Sequence, residues 1–537
     1  MAVAVLAIAC QATVPPAGPA VTPATIAAPT SSPRPVTAQP SVTAVPSPTA
    51  ALPKPPITPL PLQTPHPGGL DPRFGIAEGF RDPSVMADVG AGWERVVLSW
   101  ADIQPDGPAD FSWLGRTIPP RAVAGELNRG VRLAGLLQFT PTWAATNLDD
   151  PGRSVPRNLD LPDDDPRNYW GRFVFETVRY YTGRIDEWIV WNEPEFQQAD
   201  AAAGSGSYTW LGTDAQFARL MEVAYLAAKR ANPNATIAFP GTSYWVDQIS
   251  GRAQFYERFL RLEAANPSAP QHNFFHDAVP LNLYRAPDDL VRLHAEFKAI
   301  QQRYEVADKP LWLLELNAMP TDDAAIPCAD RHAHSPIQTT QAQQAEYAVQ
   351  AFALAAAAGY TRIGFYQMVD DNPCNQSAVW GITRDDGSVR PVASALRTAV
   401  HSISGFLKAS FAPLTRQTSR WAAWPDDPNS FTPNWQVYAV AFDLPGNRRV
   451  TVLWNGDGAA VRIRIPRRGN TQASLIDDNG EPQTVTLTGP DWTIGLPGAT
   501  AHFAGDPPGY FFIGGDARLL IEDGVAPGSP VSAPRLG

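Results

Sequence analysis

Two glutamates, each at the end of a short apolar run, are the residues in this sequence best suited to do chemistry. Residues 188–191 read Trp-Ile-Val-Trp and lead into Asn192, Glu193 and Pro194, and residues 311–314 read Leu-Trp-Leu-Leu and lead into Glu315. Such runs are typical of buried parallel strands, and barrel enzymes carry their catalytic groups at the carboxyl ends of those strands. Two carboxylates placed in this way indicate glycoside hydrolysis, in which one is the acid and the other the nucleophile.

The elements that must position these two residues repeat along the chain. Strand-like runs alternate with helical patterns, and the eight runs lie at 74–78, 95–99, 132–139, 188–191, 236–239, 278–282, 311–315 and 362–366. Eight such repeats predict an α/β fold, a parallel (β/α)8 TIM barrel. An open doubly wound sheet is the alternative, but it favours fewer repeats and a glycine-rich phosphate loop after the first strand. In a barrel, strands four and seven end at the same mouth, so the carboxylates can approach the roughly 5 Å separation of a retaining glycosidase.

The sequence on either side of the barrel, which we place at 71–405, has a different composition. Residues 11–70 are dominated by Pro, Thr, Ala, Ser and Val, which predicts a disordered, extended tether. Residues 406–524 predict a β-sandwich-like accessory domain. Its strands are expected at 437–442, 450–454, 461–465, 483–487 and 510–513. The Pro/Gly-rich residues 525–537 are expected to be mobile.

The N-terminus predicts export. Residues 1–9 are apolar but too few to span a bilayer, and residues 7–10 read Ala-Ile-Ala-Cys, which resembles the lipobox of bacterial lipoproteins. We therefore expect lipidation of Cys10 and a lipoprotein on the bacterial cell surface. Because no Lys or Arg precedes the apolar run, an ordinary signal peptide with secretion, a chance cysteine and a wrongly chosen start codon remain alternatives.

The other two cysteines, Cys328 and Cys374, lie in turn-rich segments. An oxidising compartment permits a disulfide between them, and the alternative is two unpaired loop cysteines. Asp330, His332 and His334 lie close together and invite a metal interpretation. We expect a solvated loop instead, with no metal and no cofactor, because the segment has no helical Glu partner and this hydrolysis needs no metal.

The composition of the chain limits the classes of molecule that it is expected to bind. The net charge is -11 at pH 7 and the chain shows no Lys/Arg cluster, which argues against a nucleic-acid partner. We expect a carbohydrate substrate, membrane contact only through the N-terminal lipid, and a monomer.

Several of these motifs resemble clan A of the glycoside hydrolases. Residues 191–194 match the clan's strand-four motif, in which the Asn contacts the sugar 2-hydroxyl and the Glu is the acid/base. Residues 309–315 look like the strand-seven segment with the nucleophile, and residues 90–105 resemble strand two, where an Arg supports the nucleophile. The resemblance covers most of 74–405. With a β domain after the barrel, it is nearest to family 39, with family 5 also plausible.

The chain departs from the clan's pattern at three strand ends. Strand six often ends His-x-Tyr, whereas residues 282–284 read Asn-Leu-Tyr. Strand seven often reads Thr-Glu before an aromatic residue and Gly, whereas residues 314–317 read Leu-Glu-Leu-Asn. Strand eight frequently supplies a Trp, whereas residues 365–367 read Phe-Tyr-Gln. These changes keep both carboxylates and leave the sugar open.

The resemblance implies that Glu193 is the acid/base and Glu315 the nucleophile, with Asn192 on the 2-hydroxyl. Arg95 would favour the charged form of Glu315, or it is an ordinary buried ion-pair partner. Tyr284 is a candidate hydrogen-bond donor to Glu315, or a packed aromatic. For Glu193 the alternative is a capping or hydrogen-bonding role in a solvated loop, and Glu315 has weaker support from its local sequence.

Other residues are weaker candidates for substrate binding. Glu78 ends strand one and would hydrogen-bond a sugar, or it is a surface or structural carboxylate. Trp100, Trp143 and Trp380 are candidates for stacking on sugar faces, and the alternative for each is the core. Glu195 is expected in a solvated loop, and direct contact with the substrate is the alternative.

The sequence thus predicts a retaining O-glycoside hydrolase that acts on an oligo- or polysaccharide through a glycosyl-enzyme intermediate. One alternative is a non-catalytic, carbohydrate-binding surface lipoprotein on a decayed barrel, although such a protein would be expected to lose a carboxylate. A transglycosidase is another, since it uses the same residues and differs only in its acceptor.

Overall fold

The computed structural model describes residues 70–113, 118–197, 208–306, 309–326, 339–371, 379–415, 435–469, 472–502 and 510–537. The predicted tether, Cys10, the cysteines Cys328 and Cys374, and the loop with His332 and His334 lie outside the described residues. The lipidation and disulfide predictions therefore stay predictions. In the part of the chain that the structure describes, no helix has the length and apolar character needed to cross a membrane. Within the same ranges, no group of three or more His, Cys, Asp or Glu residues is arranged to hold a metal ion.

Eight parallel strands form the first domain. They are β1 (Phe74–Ile76), β2 (Trp93–Ser99), β3 (Arg132–Gln138), β4 (Glu187–Val190), β5 (Thr236–Ala238), β6 (Val279–Leu283), β7 (Leu311–Leu316) and β8 (Arg362–Phe365). Their order in the sheet is β5-β4-β3-β2-β1-β8-β7-β6. Isolated parallel bridges, Ala238 with Ala278 and Thr242 with Leu281, join the two edges. All eight predicted strands are present, and the predicted TIM barrel is confirmed.

Helices between the strands cover the outside of the barrel. They are α1 (Pro83–Val89), α2 (Trp100–Ile103), α3 (Pro120–Asn128), α4 (Tyr169–Tyr181), α5 (Asp214–Ala231), α6 (Tyr244–Ile249), α7 (Phe255–Glu263), α8 (Asp289–Arg303), α9 (Gln341–Ala358) and α10 (Val392–Ile403). Short 3-10 segments lie at Gly79–Arg81, Thr142–Ala144, Pro151–Arg153 and Ala269–Phe275. The two longest helices, α5 and α9, begin with capping boxes at Thr213 and Thr340. These caps satisfy backbone N–H groups that a helix otherwise leaves without partners.

The barrel interior is a packed apolar core. Its buried members come from alternate positions of the strands: Trp93, Val97, Ala134, Leu136, Ile189, Ala238, Ala278, Trp312 and Leu314. Trp93 fits because glycines face it, since a Cβ on Gly75 or Gly364 would lie 2.3 Å or 2.6 Å from its ring. The filled interior leaves only the carboxyl ends of the strands for a site.

The second domain consists of antiparallel strands. They are β9 (Lys408–Phe411), β10 (Leu414–Thr415), β11 (Trp435–Leu444), β12 (Arg448–Asn455), β13 (Val461–Pro466), β14 (Ala473–Asp477), β15 (Thr486–Thr488), β16 (Asp491–Leu496), β17 (Arg518–Asp523) and β18 (Arg535–Leu536). One sheet has the order β10-β11-β12-β17-β14, with β9 also on β11, and the other has β15-β16-β13-β18. Their facing side chains, among them Leu453, Leu520, Ile463 and Trp492, form one apolar cluster. The arrangement is the expected β-sandwich.

The other face of the larger sheet packs on the barrel. Tyr438 and Trp454 belong to the same apolar cluster as the helix residue Phe352. Gln350 on α9 donates to the carbonyl oxygen of Gly514 at 3.0 Å and accepts from the Gly514 N–H at 3.0 Å. These buried contacts fix the β domain against the back of the barrel.

Two expectations for the β domain differ from the structure. Residues 510–513 do not form a strand, because Ile513 makes only an isolated bridge with Ala501 while the aromatic side chains pack into the core. The C-terminal segment, expected to be mobile, includes β18, which pairs with β13. A Pro/Gly-rich composition disfavours regular structure over the whole segment but does not prevent one short pairing at its end.

Candidate active site

Glu193 lies in a tight turn directly after β4. Trp191 and Glu193 both have left-handed backbone angles, with φ of 69° and 48°. Such conformations cost about 1–3 kcal/mol each in a non-glycine residue and persist only where the surroundings enforce them. Here the Glu193 N–H donates to the Gly241 carbonyl oxygen at 2.8 Å, and the Thr209 hydroxyl donates to the Glu193 carbonyl oxygen. The turn therefore holds the Glu193 side chain in a fixed place at the strand end.

The Glu193 carboxyl group is buried and has two hydrogen bonds on one oxygen. Its Oε1 accepts from Asn282 Nδ2 at 3.0 Å and from the Ser243 hydroxyl. Burial, together with the negative charge of Glu315, raises the pKa of Glu193 to about 7. The two hydrogen bonds act in the opposite direction and limit the rise. A glutamate with this pKa is protonated in a large fraction of molecules at neutral pH, as a general acid must be.

Glu315 lies on β7 at an irregularity in the pairing with β6. The register shifts by one residue there, from Leu281 opposite Leu313 to Asn282 opposite Glu315. Bulges of this kind re-aim side chains near active sites. Leu314 stays in the barrel interior, and the Glu315 carboxylate reaches Arg95 and Tyr284 at the mouth.

Both carboxylate oxygens of Glu315 have strong donors. Arg95 Nη1 donates to Oε1 at 2.6 Å, and the Tyr284 hydroxyl donates to Oε2 at 2.6 Å. Arg95 is fully buried. Burial and the charge of Glu315 raise the pKa of Tyr284 well above its usual value, so its hydroxyl keeps the proton it donates. These are the contacts that the sequence predicted, and they stabilise a negative charge on Glu315.

Asn192 and Asn282 form a buried amide pair beside Glu193. Asn282 Nδ2 donates to Asn192 Oδ1 at 3.3 Å as well as to Glu193. Asn192 Nδ2 has no hydrogen-bond partner among the described residues, although it is buried. An unpartnered buried donor of this kind calls for an explanation, and binding of a ligand's polar group is one. The role of Asn282 was missed from sequence, and its signal was the departure from His-x-Tyr at that position.

Glu78 lies near Arg95 and completes one wall of the mouth. It follows β1 with a left-handed φ of 57°, and its N–H donates to the Arg95 carbonyl oxygen at 2.9 Å. Arg81 Nη1 contacts Glu78 Oε2 at 3.3 Å and Asp371 Oδ1 at 2.5 Å. Burial raises the pKa of Glu78, against the charge of Arg95. Gln367 donates to Asp371 at 3.1 Å and keeps a buried Oε1 without a partner among the described residues.

The three candidate tryptophans have different places. Trp100 is fully buried against Trp170 and Phe173, so it is a core residue and not a stacking surface for a sugar. Trp143 is partly exposed, and its Nε1 donates to the Gln104 carbonyl oxygen at 2.7 Å. Trp380 lies beside the site, with its ring 4.9 Å from that of Tyr284. Of the three, Trp380 is the one that contacts Tyr284, the hydrogen-bond donor to Glu315.

Glu195 was expected in a solvated loop, and this expectation was wrong. Its side chain is fully buried, and Oε1 accepts from the Ser243 N–H at 2.5 Å. The turn at Glu193 brings this segment against residues 241–243, which follow β5, and there Glu195 meets the Ser243 backbone. Ser243 was not identified from sequence either, because a serine before a helix is ordinarily a cap.

Comparisons with solved structures identify the fold. A family 39 glycoside hydrolase from Bacteroides cellulosilyticus aligns over 85% of this chain and 81% of its own, at 14% identity and a TM-score of 0.58. A family 30 subfamily 8 xylanase from Clostridium acetobutylicum aligns over 84% of this chain and 95% of its own, at 11% identity and a TM-score of 0.51. The chain has the fold of these glycoside hydrolases. No protein-family model matches the chain, and no curated protein matches it in sequence.

In this glycoside hydrolase fold, the carboxyl groups of Glu193 and Glu315 lie at the mouth of the barrel in different environments. Glu193 is buried, neutral in part at pH 7, and has one oxygen, Oε2, without a hydrogen bond from the described residues. Glu315 has a donor on each oxygen. Pairs of carboxyl groups whose environments differ in this way divide the work of acid and base.

Proposed function

We propose that this protein is a retaining O-glycoside hydrolase acting on an oligo- or polysaccharide. The observation that carries the proposal is the pairing of Glu315 with Arg95 and Tyr284, while Glu193 has a pKa near 7 at the end of another strand of the same barrel. The glycoside hydrolase fold supports the same activity, although fold alone does not define function.

In the first step of the proposed mechanism, the Glu315 carboxylate attacks the anomeric carbon. The bond from that carbon to the glycosidic oxygen breaks, and Glu193 gives its proton to the leaving oxygen. Arg95 and Tyr284 orient the carboxylate of Glu315. Asn192 Nδ2 would donate to the sugar 2-hydroxyl, where hydrogen bonds strengthen in the transition state.

In the second step, water replaces the enzyme at the anomeric carbon. Glu193, now ionised, takes a proton from the water while the bond to Glu315 breaks, which restores both groups to their starting states. Two displacements on one carbon give net retention of configuration. Trp380 and Glu78 are proposed to contact the sugar at the mouth of the barrel.

We also propose that the protein acts outside the cell, anchored by a lipid on Cys10 and held away from the membrane by residues 11–70. Its substrate would then be an extracellular carbohydrate. Radiolabelled palmitate incorporation by the wild type, and none by Cys10→Ala, is the expected result. Labelling that survives Cys10→Ala would contradict the anchor.

The experiment that tests the activity is NMR of the product during turnover of a panel of aryl pyranosides. The retaining mechanism predicts that the first sugar released has the anomeric configuration of the substrate, before mutarotation. Glu187→Gln is the matched control, since Glu187 is also ion-paired, to Arg362, but lies at the opposite end of β4. It is expected to keep turnover, whereas Glu315→Gln is expected to lose it. Inverted product from the wild type would contradict the mechanism.

A further inference from the structure

The Ser243 hydroxyl makes a hydrogen bond that is unusual for a serine at the start of a helix. Ser243 immediately precedes α6, the position where a serine ordinarily accepts a hydrogen bond from a backbone N–H in the first turn. Ser243 makes no such cap. Its hydroxyl donates instead to Glu193 Oε1, and its side chain is buried. Such a departure from the usual capping role of serine is expected at functional sites.

The backbone of Ser243 is held by a second glutamate. The Ser243 N–H donates to Glu195 Oε1 at 2.5 Å, and Glu195 is fully buried two residues after Glu193. Glu195 Oε2 has no hydrogen-bond partner among the described residues. An unsatisfied buried polar atom costs about 1–3 kcal/mol. Fold stability therefore does not account for Glu195, and a role at the neighbouring acid does.

The environment of Glu195 disfavours a negative charge on its carboxyl group. Burial, followed by the negative charges of Glu193 and Asp247, raises the pKa of Glu195 well above the usual value of a glutamate. Among the described residues, Arg252 Nη2 donates to the backbone oxygen of Glu195 at 3.2 Å. That hydrogen bond does not involve the Glu195 carboxyl group. A carboxyl group whose pKa is raised can accept the Ser243 N–H while adding less negative charge beside Glu193.

The helix behind Ser243 is anchored independently. Asp247 on α6 accepts from Arg252 Nε at 2.9 Å and from Arg258 Nη1 at 2.8 Å. Arg258 also donates to Asp214 at the start of α5, at 2.8 Å. These ion pairs fix α6, so the position of the Ser243 hydroxyl is set by the scaffold and not by the substrate.

We propose that Ser243, held by Glu195, is a positioning residue that keeps the acidic proton of Glu193 on Oε2. Oε1 already accepts hydrogen bonds from Ser243 and Asn282, so the proton belongs on the other oxygen. Oε2 has no hydrogen bond from the described residues and is free to meet the glycosidic oxygen. The inference rests on the proposed function, since it assigns a part of that mechanism.

The test compares leaving groups. Proton donation matters for a poor leaving group such as phenol and little for 2,4-dinitrophenol, which departs without it. The probes are 2,4-dinitrophenyl and phenyl glycosides of the pentose and hexose pyranosides that the wild type cleaves. For Ser243→Ala we expect kcat/KM to fall about 10- to 100-fold on the phenyl glycoside and less than about threefold on the dinitrophenyl glycoside.

The pH profile is the second readout. The Ser243 hydrogen bond favours the charged form of Glu193, so Ser243→Ala is expected to move the alkaline limb of kcat/KM to higher pH. A merely structural role would lower kcat/KM without moving this limb. Glu195→Leu is expected to give the same selective loss on phenyl glycosides, and Glu195→Gln, which keeps an acceptor for the Ser243 N–H, is expected to restore part of it.

Two further variants make the outcomes distinct. Ser243→Gly removes the same hydroxyl and is well tolerated before a helix, so it replaces Ser243→Ala should that variant fail to fold. Thr242→Val is the matched control, because the neighbouring Thr242 hydroxyl is buried and contacts neither carboxyl group. If Ser243→Ala lost kcat/KM equally on the phenyl and dinitrophenyl glycosides and its alkaline limb did not move, the inference would be overturned. The proposed function would still stand. Inverted product from the wild type, or full turnover by Glu315→Gln, would overturn the proposed function and, with it, this inference.

Discussion

Arg95 and Glu315 form a buried ion pair across the mouth of the barrel, with 2.6 Å between Nη1 and Oε1. They lie on β2 and β7, which are separated in the sheet by β1 and β8. The pair therefore spans the mouth and does not link neighbouring strands. Buried ion pairs contribute little net stability, because desolvation offsets the attraction. In the proposed mechanism, this pair orients the carboxylate of Glu315 toward the anomeric carbon.

The first prediction concerns this ion pair. Arg95→Leu leaves the Glu315 charge buried without its partner, and we expect the free energy of unfolding to fall by about 3–5 kcal/mol, with loss of activity. The double variant Arg95→Leu/Glu315→Leu removes the uncompensated charge, so it should recover stability and stay inactive. Urea denaturation followed by tryptophan fluorescence measures both. A double variant no more stable than Arg95→Leu would show that Glu315 is not charged in the folded protein.

The second prediction concerns Tyr284. Tyr284→Phe removes the donor to Glu315 Oε2 and leaves the ring packed against Trp380. A hydrogen bond to a charged group contributes about 1.5–3 kcal/mol, which corresponds to a loss of roughly 10- to 150-fold in kcat/KM. Steady-state kinetics measures the loss, and the thermal unfolding midpoint should change little. Full activity in Tyr284→Phe would remove Tyr284 from the mechanism.

The third prediction is a pH profile. Glu193 must be protonated to act as the acid, and its pKa is raised from 4.5 to about 7. The acid is therefore present at lower pH and is lost as the pH rises through about 7, so kcat/KM should fall on the alkaline side. Glu193→Gln cannot donate a proton, and it should lose roughly 10²- to 10⁴-fold on poor leaving groups together with the alkaline limb. A Glu193→Gln profile identical to the wild type would assign that limb to another group.

The fourth prediction concerns stability. Burial raises the pKa of Glu94 and of Glu346 to about 8, and that of Glu263 to about 7. Between pH 4.5 and 8 the folded protein then binds more protons than the unfolded chain, so stability falls as the pH rises. Chemical denaturation at pH 5.5 and pH 8 should show the lower free energy of unfolding at pH 8.

Glu94→Gln is the control for this pH dependence. The side chain accepts from the Phe80 N–H at 2.8 Å, a bond that the amide oxygen of Gln can keep. The variant should lose part of the fall in stability between pH 5.5 and pH 8. The same fall in Glu94→Gln as in the wild type would assign the effect to other groups.

The sequence predicts the barrel because the feature that builds it is local. Each apolar run, such as residues 311–315, buries itself in a parallel sheet wherever its neighbours lie, and turns bound it on both sides. The same logic finds Glu193 and Glu315, since both follow such runs directly. Arg95 and Tyr284 follow from their places near strand ends, once the barrel brings those ends together.

The parts that sequence did not provide depend on backbone geometry or on distant pairing. Glu195 is buried because Trp191 and Glu193 have left-handed conformations, and no local pattern at 191–195 encodes that turn. A serine directly before a helix predicts an N-cap, so the sequence gives no indication that Ser243 contacts Glu193. Strands such as β14 and β17 were missed because their pairing partners, and not their own alternation, define them.

The most direct test of the two-glutamate mechanism is intact-protein mass spectrometry of residues 70–537 after incubation with a panel of 2-fluoro-glycosides that carry good leaving groups. The mechanism predicts that one sugar forms a covalent adduct, which peptide mapping places on Glu315, and that Glu315→Gln forms none. An adduct on another residue, or turnover of the panel sugars without any trapped intermediate, would contradict the assignment of Glu315 as the nucleophile.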